Sequence, residues 1–298
     1  MKTDLSCISC LVRNAVSAAM KTGDPVRQAQ IVRTMLAEIA RFDFNLPPPV
    51  MARRIYAYAA EVTGNHDPYR KQKDESTVAA KQLLREFLEE NGLNTDDFES
   101  LIRLAIAGNI IDFGVNCDLD LEQAKNTIRL AFQKPVDRNA LIQAEQAIDR
   151  AENILYLLDN CGEAVFDTLL VKRYGSKITL CVKGAPILND VTRREVADSG
   201  FDGLVRRIID TGDCTPGISM EHSSPEFREA FETADLIISK GQGNFETLNR
   251  SSRPILFLFM AKCRLVADSL GAELNSFQII CRNFRGESPN RDLKLFEK

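Results

Sequence analysis

The sequence predicts a mixed α/β protein: a helical N-terminal domain over residues 1–150, followed by a mainly parallel-sheet α/β/α sandwich over residues 151–298. Two observations predict it. Up to Ile148 apolar residues recur at helical spacing, and beyond it short β-branched or apolar runs alternate with amphipathic helical segments. Alternation of that kind specifies parallel strands in a sheet covered by helices on both faces. A chain of 298 residues with 44% hydrophobic content is long enough to bury a large core, or two domains sharing one interface.

Taken in order, segments 31–42, 50–62 and 78–87 repeat their apolar positions at helical spacing, and 101–111 is almost wholly apolar and reaches Gly108. Turn residues separate them at Gly23-Asp24-Pro25, 46–49, 64–68 and 91–95. In the second half, strands are expected at 154–158, 177–182, 203–209, 236–239, 255–259 and 277–281. Helices are expected at 164–174, 191–199, 225–233 and, in a short form, 245–248. Neither an internal repeat nor a low-complexity tract interrupts this order.

Composition narrows the class of partner. The net charge of −4 combines 38 basic with 42 acidic residues, and no Lys/Arg block is long enough for a nucleic-acid footprint. A small molecule is therefore the expected partner. No window approaches the roughly 18 apolar residues of a membrane helix, and the polar start MKTDLSCISC lacks a secretory apolar region. A soluble, cytoplasmic protein is expected, with its oligomeric state left open. Eight scattered cysteines read as reduced thiols. Cys7 and Cys10 form the one C-x-x-C; with His66 and His222 the sole histidines, a four-ligand zinc site has little support, and ordinary helix residues are the simpler reading.

Three polar clusters follow three expected strands: Asp159-Asn160-Cys161-Gly162-Glu163, then Leu188-Asn189-Asp190-Val191-Thr192, then Lys240-Gly241-Gln242-Gly243-Asn244. In a parallel sheet the carboxyl ends of the strands share one edge, so these clusters converge. Asp159, Asn160 and Asp190 offer two carboxylates and an amide oxygen, hard ligands suited to magnesium or manganese. Taken singly, Asp159 and Asp190 read equally well as helix caps; taken together with Asn160 and Glu163, a site is the better reading. The Lys240 loop combines a cation, glycines and a helix start, a combination that suits an anion such as phosphate but also a simple tight turn. Gly108-Asn109-Ile110-Ile111-Asp112 closes an apolar segment and reads on composition first as a helix stop.

Other chemistries lack their residues. The G-x-x-x-x-G-K-[ST] order is missing, the histidines have no partner motif for a triad, and no G-x-S-x-G elbow is present. Cys161 beside the clusters reads as a buried, inert thiol before it reads as a nucleophile.

The clusters, in this order, resemble the damage-control phosphatase family, long catalogued as a domain of unknown function and related to a protein once called an acidic-residue methyltransferase. The matching stretches are GNIIDFG at 108–114, LLDNCGE with Asp167, KGAPILNDVT at 183–192 and SKGQGNFETL at 239–248, with AKC at 261–263 fitting less specifically. The C-x-x-C and the helical first half are similar to the archaeal and bacterial branch. The resemblance implies that Asp159, Asn160 and Asp190 hold a divalent cobalt, nickel, manganese or magnesium ion, and that Lys240 contacts a substrate phosphate. It also implies that Asn109 and Asp112 line the same cavity, with Gly241 and Asn244 on its phosphate side. The implied activity is hydrolysis of phosphate esters of small, damaged or surplus metabolites. The attacking group is then metal-activated water or Asp159 itself, with Glu163 as an acid/base; Cys161 occupies the second position of the D-x-D pattern of aspartyl-phosphate enzymes, which favours water. Two rivals remain: an S-adenosylmethionine-dependent carboxyl methyltransferase, against which the ligand-rich DNCGE turn speaks, and a non-enzymatic sensor of a phosphorylated metabolite.

Overall fold

A computed structural model describes residues 1–91, 94–109 and 121–284. The first helices follow their local signals. Asp24 caps α2 (Pro25–Ile39) by accepting from the Val26 amide, with Pro25 in the first turn. Helix α2 packs with α1 (Cys7–Met20) and α3 (Pro48–Thr63) around Leu11, Ala15, Ile31, Met35, Met51 and Ile55. Helices α4 (Arg70–Asn91), α5 (Phe98–Ala107), α6 (Leu121–Phe132) and α7 (Arg138–Arg150) complete the N-terminal half.

Six strands then form one sheet: β1 (Ile154–Leu157), β2 (Ile178–Val182), β3 (Arg207–Asp210), β4 (Leu236–Lys240), β5 (Ile255–Met260) and β6 (Phe277–Arg282). The spatial order is β3-β2-β1-β4-β5-β6. The first five are parallel, and β6 returns antiparallel along β5. From β1 the chain steps outward to β2 and β3, then crosses back to β4 on the other side of β1. That reversal opens a crevice at the carboxyl ends of β1 and β4. The mainly parallel α/β/α architecture is therefore as the sequence predicts.

Strand residues alternate between the two faces. Ile154, Tyr156, Ile238 and Leu258 face a core built with α4, α5, α6, α7 and α8 (Cys161–Tyr174). Leu155, Leu157, Ile237 and Phe257 face α10 (Pro225–Thr233), α11 (Gln242–Leu248) and α12 (Arg264–Leu270). Helices α4 to α7 thus share the core of the sheet, whereas α1 to α3 keep an apolar cluster of their own, joined by Ile187. Helix α8 lies between the sheet and helices α4 and α5, which explains why it is buried on nearly every side. No helix of the described residues is long and apolar enough to cross a membrane.

The differences from expectation have local causes. The third strand begins at Arg207, after a turn in which the Leu204 amide bonds to the Phe201 carbonyl. Helix α9 (Glu195–Ser199) starts later than expected because Thr192 is tied down: its amide and hydroxyl both donate to Glu195 Oε2, at 2.8 and 2.6 Å. The Glu195 amide in turn donates to the Thr192 carbonyl at 3.1 Å, closing a turn ahead of the helix. It also removes the alternative in which Asp190 caps that helix.

Glu195 further holds the buried Lys73 at 3.0 Å and Arg194 at 2.7 Å, fastening α9 to α4. Burial alone would raise the Glu195 carboxyl, but hydrogen bonds from Thr192, Lys73 and Arg194 bring it down to about 2. A carboxyl lowered on folding stabilises the protein above its unfolded value of about 4.3 and ceases to do so as the pH falls toward the folded value. Glu195→Gln is expected to cost about 2–3 kcal/mol in urea denaturation at pH 7. The gap between variant and wild type should close progressively at pH values below about 4.

Candidate active site at the reversal of strand order

The crevice is furnished by the residues that end β1 and β4 and by the loop before α9. Asn160 caps α8, its Oδ1 accepting from the Glu163 amide at 3.3 Å; Asp159 is left free of that duty. The loops are sewn together by the backbone. The Cys161 amide donates to the Asn189 carbonyl and the Val191 amide to the Asp159 carbonyl, each at 2.9 Å. Asn160 and Asp190 consequently face one another as an isolated antiparallel bridge.

Lys240 ends β4, beside β1, and is fully buried. Its ammonium donates to the Ala105 carbonyl and to Asp167 Oδ1, each at 2.7 Å, and to Glu163 Oε1. Asp167 Oδ1 also accepts from the Tyr156 hydroxyl at 2.8 Å. Lys183, directly after β2, stands on the other side of β1, one residue further along than Lys240. It donates to the Gly217 carbonyl at 2.6 Å and to Asn244 Oδ1 at 3.3 Å, and lies 3.6 Å from Asp190 Oδ2. Asn244 in turn donates to the Lys240 carbonyl at 2.8 Å and the Leu158 carbonyl at 3.4 Å, binding α11 to both strand ends.

The N-terminal half reaches this place through α5. Gly108 allows the approach: a Cβ there would lie 3.0 Å from the Glu163 Cα and from the Phe166 ring. The next residue, Asn109, is buried and donates to Asp159 Oδ2 at 3.0 Å and to Glu163 Oε2 at 2.6 Å. The segment is at once a helix stop and part of the cluster. Gly241 has φ of +79°, and a Cβ at that position would fall on the Asp159 carboxylate. An alanine there would have to displace the carboxylate.

Charge in the cluster is unbalanced. Asp159, Glu163, Asp167 and Asp190 face the two ammonium groups of Lys183 and Lys240. Burial pushes Glu163 up to about 8, with the Lys240 charge opposing and Asp159 and Asp167 adding to the rise. Burial likewise pushes Asp190 up to about 7, opposed by Lys183 and reinforced by Asp159. Asp190 Oδ2 is buried and has no hydrogen-bond partner among the described residues. Four carboxyl groups against two ammonium groups, with one carboxyl oxygen orphaned, fit a divalent cation, whose charge would favour the ionised forms that burial disfavours. Asn160 would then have to contribute beside the two carboxylates, since among the described residues no group of three or more His, Cys, Asp or Glu side chains is arranged to hold a metal.

The expected site residues Asp159, Asn160, Glu163, Asp190, Lys240, Gly241, Asn244 and Asn109 thus come together, and Asp112 lies outside the described residues. Lys183 and Asp167, which lie in the matching stretches with no role expected of them, join the cluster. The signal for Lys183 is a lysine directly after a strand, much as Lys240 is a lysine at the end of one. Cys161 is fully buried, and burial raises its thiol well above the ordinary range, which leaves it inert.

Such a site at such a reversal has solved and named counterparts. Residues 3–276 match the damage-control phosphatase ARMT1-like domain, and the chain belongs to that family. It is 34% identical over 279 residues to a damage-control phosphatase of Pyrococcus horikoshii, covering 91% of this chain and 94% of that one. To a damage-control phosphatase of Archaeoglobus fulgidus it is 32% identical over 282 residues, covering 92% and 97%. The crystal structure of a DUF89 family protein from Pyrococcus horikoshii superposes with a TM-score of 0.83 at 30% identity, covering 94% of this chain and 99% of that one.

Removing the ammonium of Lys240 strands two buried carboxylates. Lys240→Met is expected to destabilise the protein by about 3–5 kcal/mol in urea denaturation. Adding Asp167→Asn to that variant should recover part of the loss, because one stranded charge is removed.

Proposed function

We propose that this protein is a metal-dependent phosphomonoester hydrolase acting on small phosphorylated metabolites. The observation that carries the reading is the surplus of buried carboxylates around Asp190, whose Oδ2 lacks a hydrogen-bond partner among the described residues. The names of the relatives, damage-control phosphatases over nearly the full length of both chains, support the same reaction class. Asp159, Asn160 and Asp190 would hold the ion, which is one of manganese, cobalt, nickel or magnesium. When bound, such an ion neutralises phosphate charge and polarises a phosphate oxygen.

The side chains of the chain do the remaining work. Asn109 fixes the Asp159 and Glu163 carboxylates relative to one another through its amide nitrogen. Lys240 holds Glu163 from the other side, so that Glu163 Oε2 is the atom placed to take or give a proton at the crevice. In this arrangement the Lys240 ammonium is fully engaged, and direct contact with a phosphate oxygen requires it to exchange one carboxylate partner. Gly241 leaves the room that the Asp159 carboxylate occupies, and Asn244 fixes the loop on the phosphate side. Water is the favoured nucleophile over Asp159, because Cys161 stands where an aspartyl-phosphate enzyme carries its second aspartate.

The test is phosphate release by metal-stripped protein across a panel of small phosphate esters, with manganese, cobalt, nickel or magnesium added back. Release is expected to depend on the added metal and to fall more than about a hundredfold in Asp190→Asn. Release that persists without metal, or in that variant, would overturn the reading. Because burial disfavours the charged form of Asp190, the same variant should melt no lower than the wild type in a metal-free thermal scan. It should also lose the rise in melting temperature that manganese confers on the wild type.

A further inference from the structure

Two lysine ammonium groups stand at the carboxyl ends of the central strands, and they are differently occupied. An ammonium carries three N–H donors. Those of Lys240 have three acceptors: the Ala105 carbonyl, Glu163 and Asp167 Oδ1. Two of these are carboxyl groups, so both the donors and the charge of Lys240 are answered within the fold. Lys183 has two acceptors, the Gly217 carbonyl at 2.6 Å and Asn244 Oδ1 at 3.3 Å, and both are neutral. Its third donor has no hydrogen-bond acceptor among the described residues. Its one ion-pair partner among them is Asp190 Oδ2, at 3.6 Å and beyond hydrogen-bond range.

That oxygen lacks a hydrogen-bond partner as well. A donor and an acceptor therefore stand close without bonding, and both residues are anchored where they are. The Lys183 amide donates to the Val191 carbonyl at 2.8 Å, Lys183 bridges to Thr192, and the Asp190 amide donates to the Ile187 carbonyl at 3.0 Å. At the far end of the side chain, Asn244 is itself fastened to the Lys240 and Leu158 carbonyls.

Charge decides what this arrangement can take up. Without an ion, Asp190 is the counter-charge of Lys183. A divalent cation held by Asp190 would claim that carboxylate and leave the buried Lys183 ammonium with neutral acceptors only. A buried charge without a counter-charge is costly. An anion that reaches the spare N–H removes the cost and gains a charge-assisted hydrogen bond.

Resting on the phosphatase reading above, we propose that Lys183, and not Lys240, is the ammonium group that receives the substrate phosphate, and that it couples phosphate binding to metal binding. A phosphate oxygen takes the third N–H of Lys183. Lys240 keeps its three acceptors and goes on holding α5 and α8 to β4. The coupling runs both ways, since a metal that raises the affinity for phosphate is itself bound more tightly in its presence.

The test measures methylphosphonate binding by titration calorimetry with and without manganese, and manganese binding alone by the electron paramagnetic resonance of the free ion, in wild type and in Lys183→Met. In the wild type, manganese is expected to tighten methylphosphonate binding roughly tenfold or more. In Lys183→Met that gain should largely vanish, while manganese alone binds at least as tightly as in wild type, because a like charge beside Asp190 is gone. Lys183→Gln, which retains two N–H donors for Gly217 and Asn244 but no charge, carries the same expectation and stands in if Lys183→Met fails to fold. A gain from manganese that survives in the folded variant overturns the proposal. So does a manganese affinity that falls together with the phosphonate affinity, which marks Lys183 as a support for Asp190 and no more. Wild type in which manganese leaves methylphosphonate binding unchanged overturns it too. Coupling that depends on Lys183, in a protein releasing phosphate from no ester, removes the phosphatase reading and leaves Lys183 as the phosphate contact of a metal-dependent binding site.

Discussion

A fully buried ammonium group must be neutralised where it stands, and the rest of the structure is arranged around that requirement at Lys240. Its three partners come from two elements: the Ala105 carbonyl from α5, and Glu163 and Asp167 from α8. Strand β4, helix α8 and the N-terminal half are thereby fixed to one another at a single point. The end of α5 has to reach that point, which is why Gly108 lies close against Glu163 and Phe166, where a Cβ would be 3.0 Å from both. Asn109 follows directly and arrives at the two carboxylates it bridges.

Lys240 balances only part of the charge that the crevice holds. Lys183 stands 3.6 Å from Asp190, so that two ammonium groups face four carboxyl groups, and burial disfavours the charged form of Glu163, Asp167 and Asp190. A fold retains such a surplus at a cost, and functional sites are where costs of this kind collect. The geometry lowers the cost in one respect. Asp159 and Asn160 stand at the start of the 14-residue helix α8, whose positive dipole end favours negative charge.

The reversal of strand order explains why residues far apart in the chain meet here. Ser239 is in register with Leu157, so that Lys240 and Gly241 emerge beside Leu158 and Asp159. Cys181 is in register with Leu157 on the other side, and Lys183 emerges there. Three adjacent strands thus present their polar ends side by side, and helices α8, α9 and α11 leave from them. The same register carries both the ion-pair network and the carboxylates proposed to hold a metal.

Much of this was legible from residue order. The change from helical periodicity to alternating strands gave the class of fold, and the three polar clusters after strands marked the edge where a site forms, because burial patterns and turn residues are local properties. The antiparallel return of β6 was not legible, since an apolar run such as 277–281 records that it is buried and not which neighbour it pairs with. Nor was the double role of Gly108 and Asn109, which composition reads as a helix stop and the packing of α5 on α8 turns into a bridge between two carboxylates. The pairing of Lys240 with Glu163 and Asp167, and the place of Lys183 beside Asp190, depended on strand order and helix docking. Sequence alone thus determined which residues are polar at the ends of buried strands; tertiary structure decided which of them meet, because contacts between distant segments are set by packing geometry and not by periodicity.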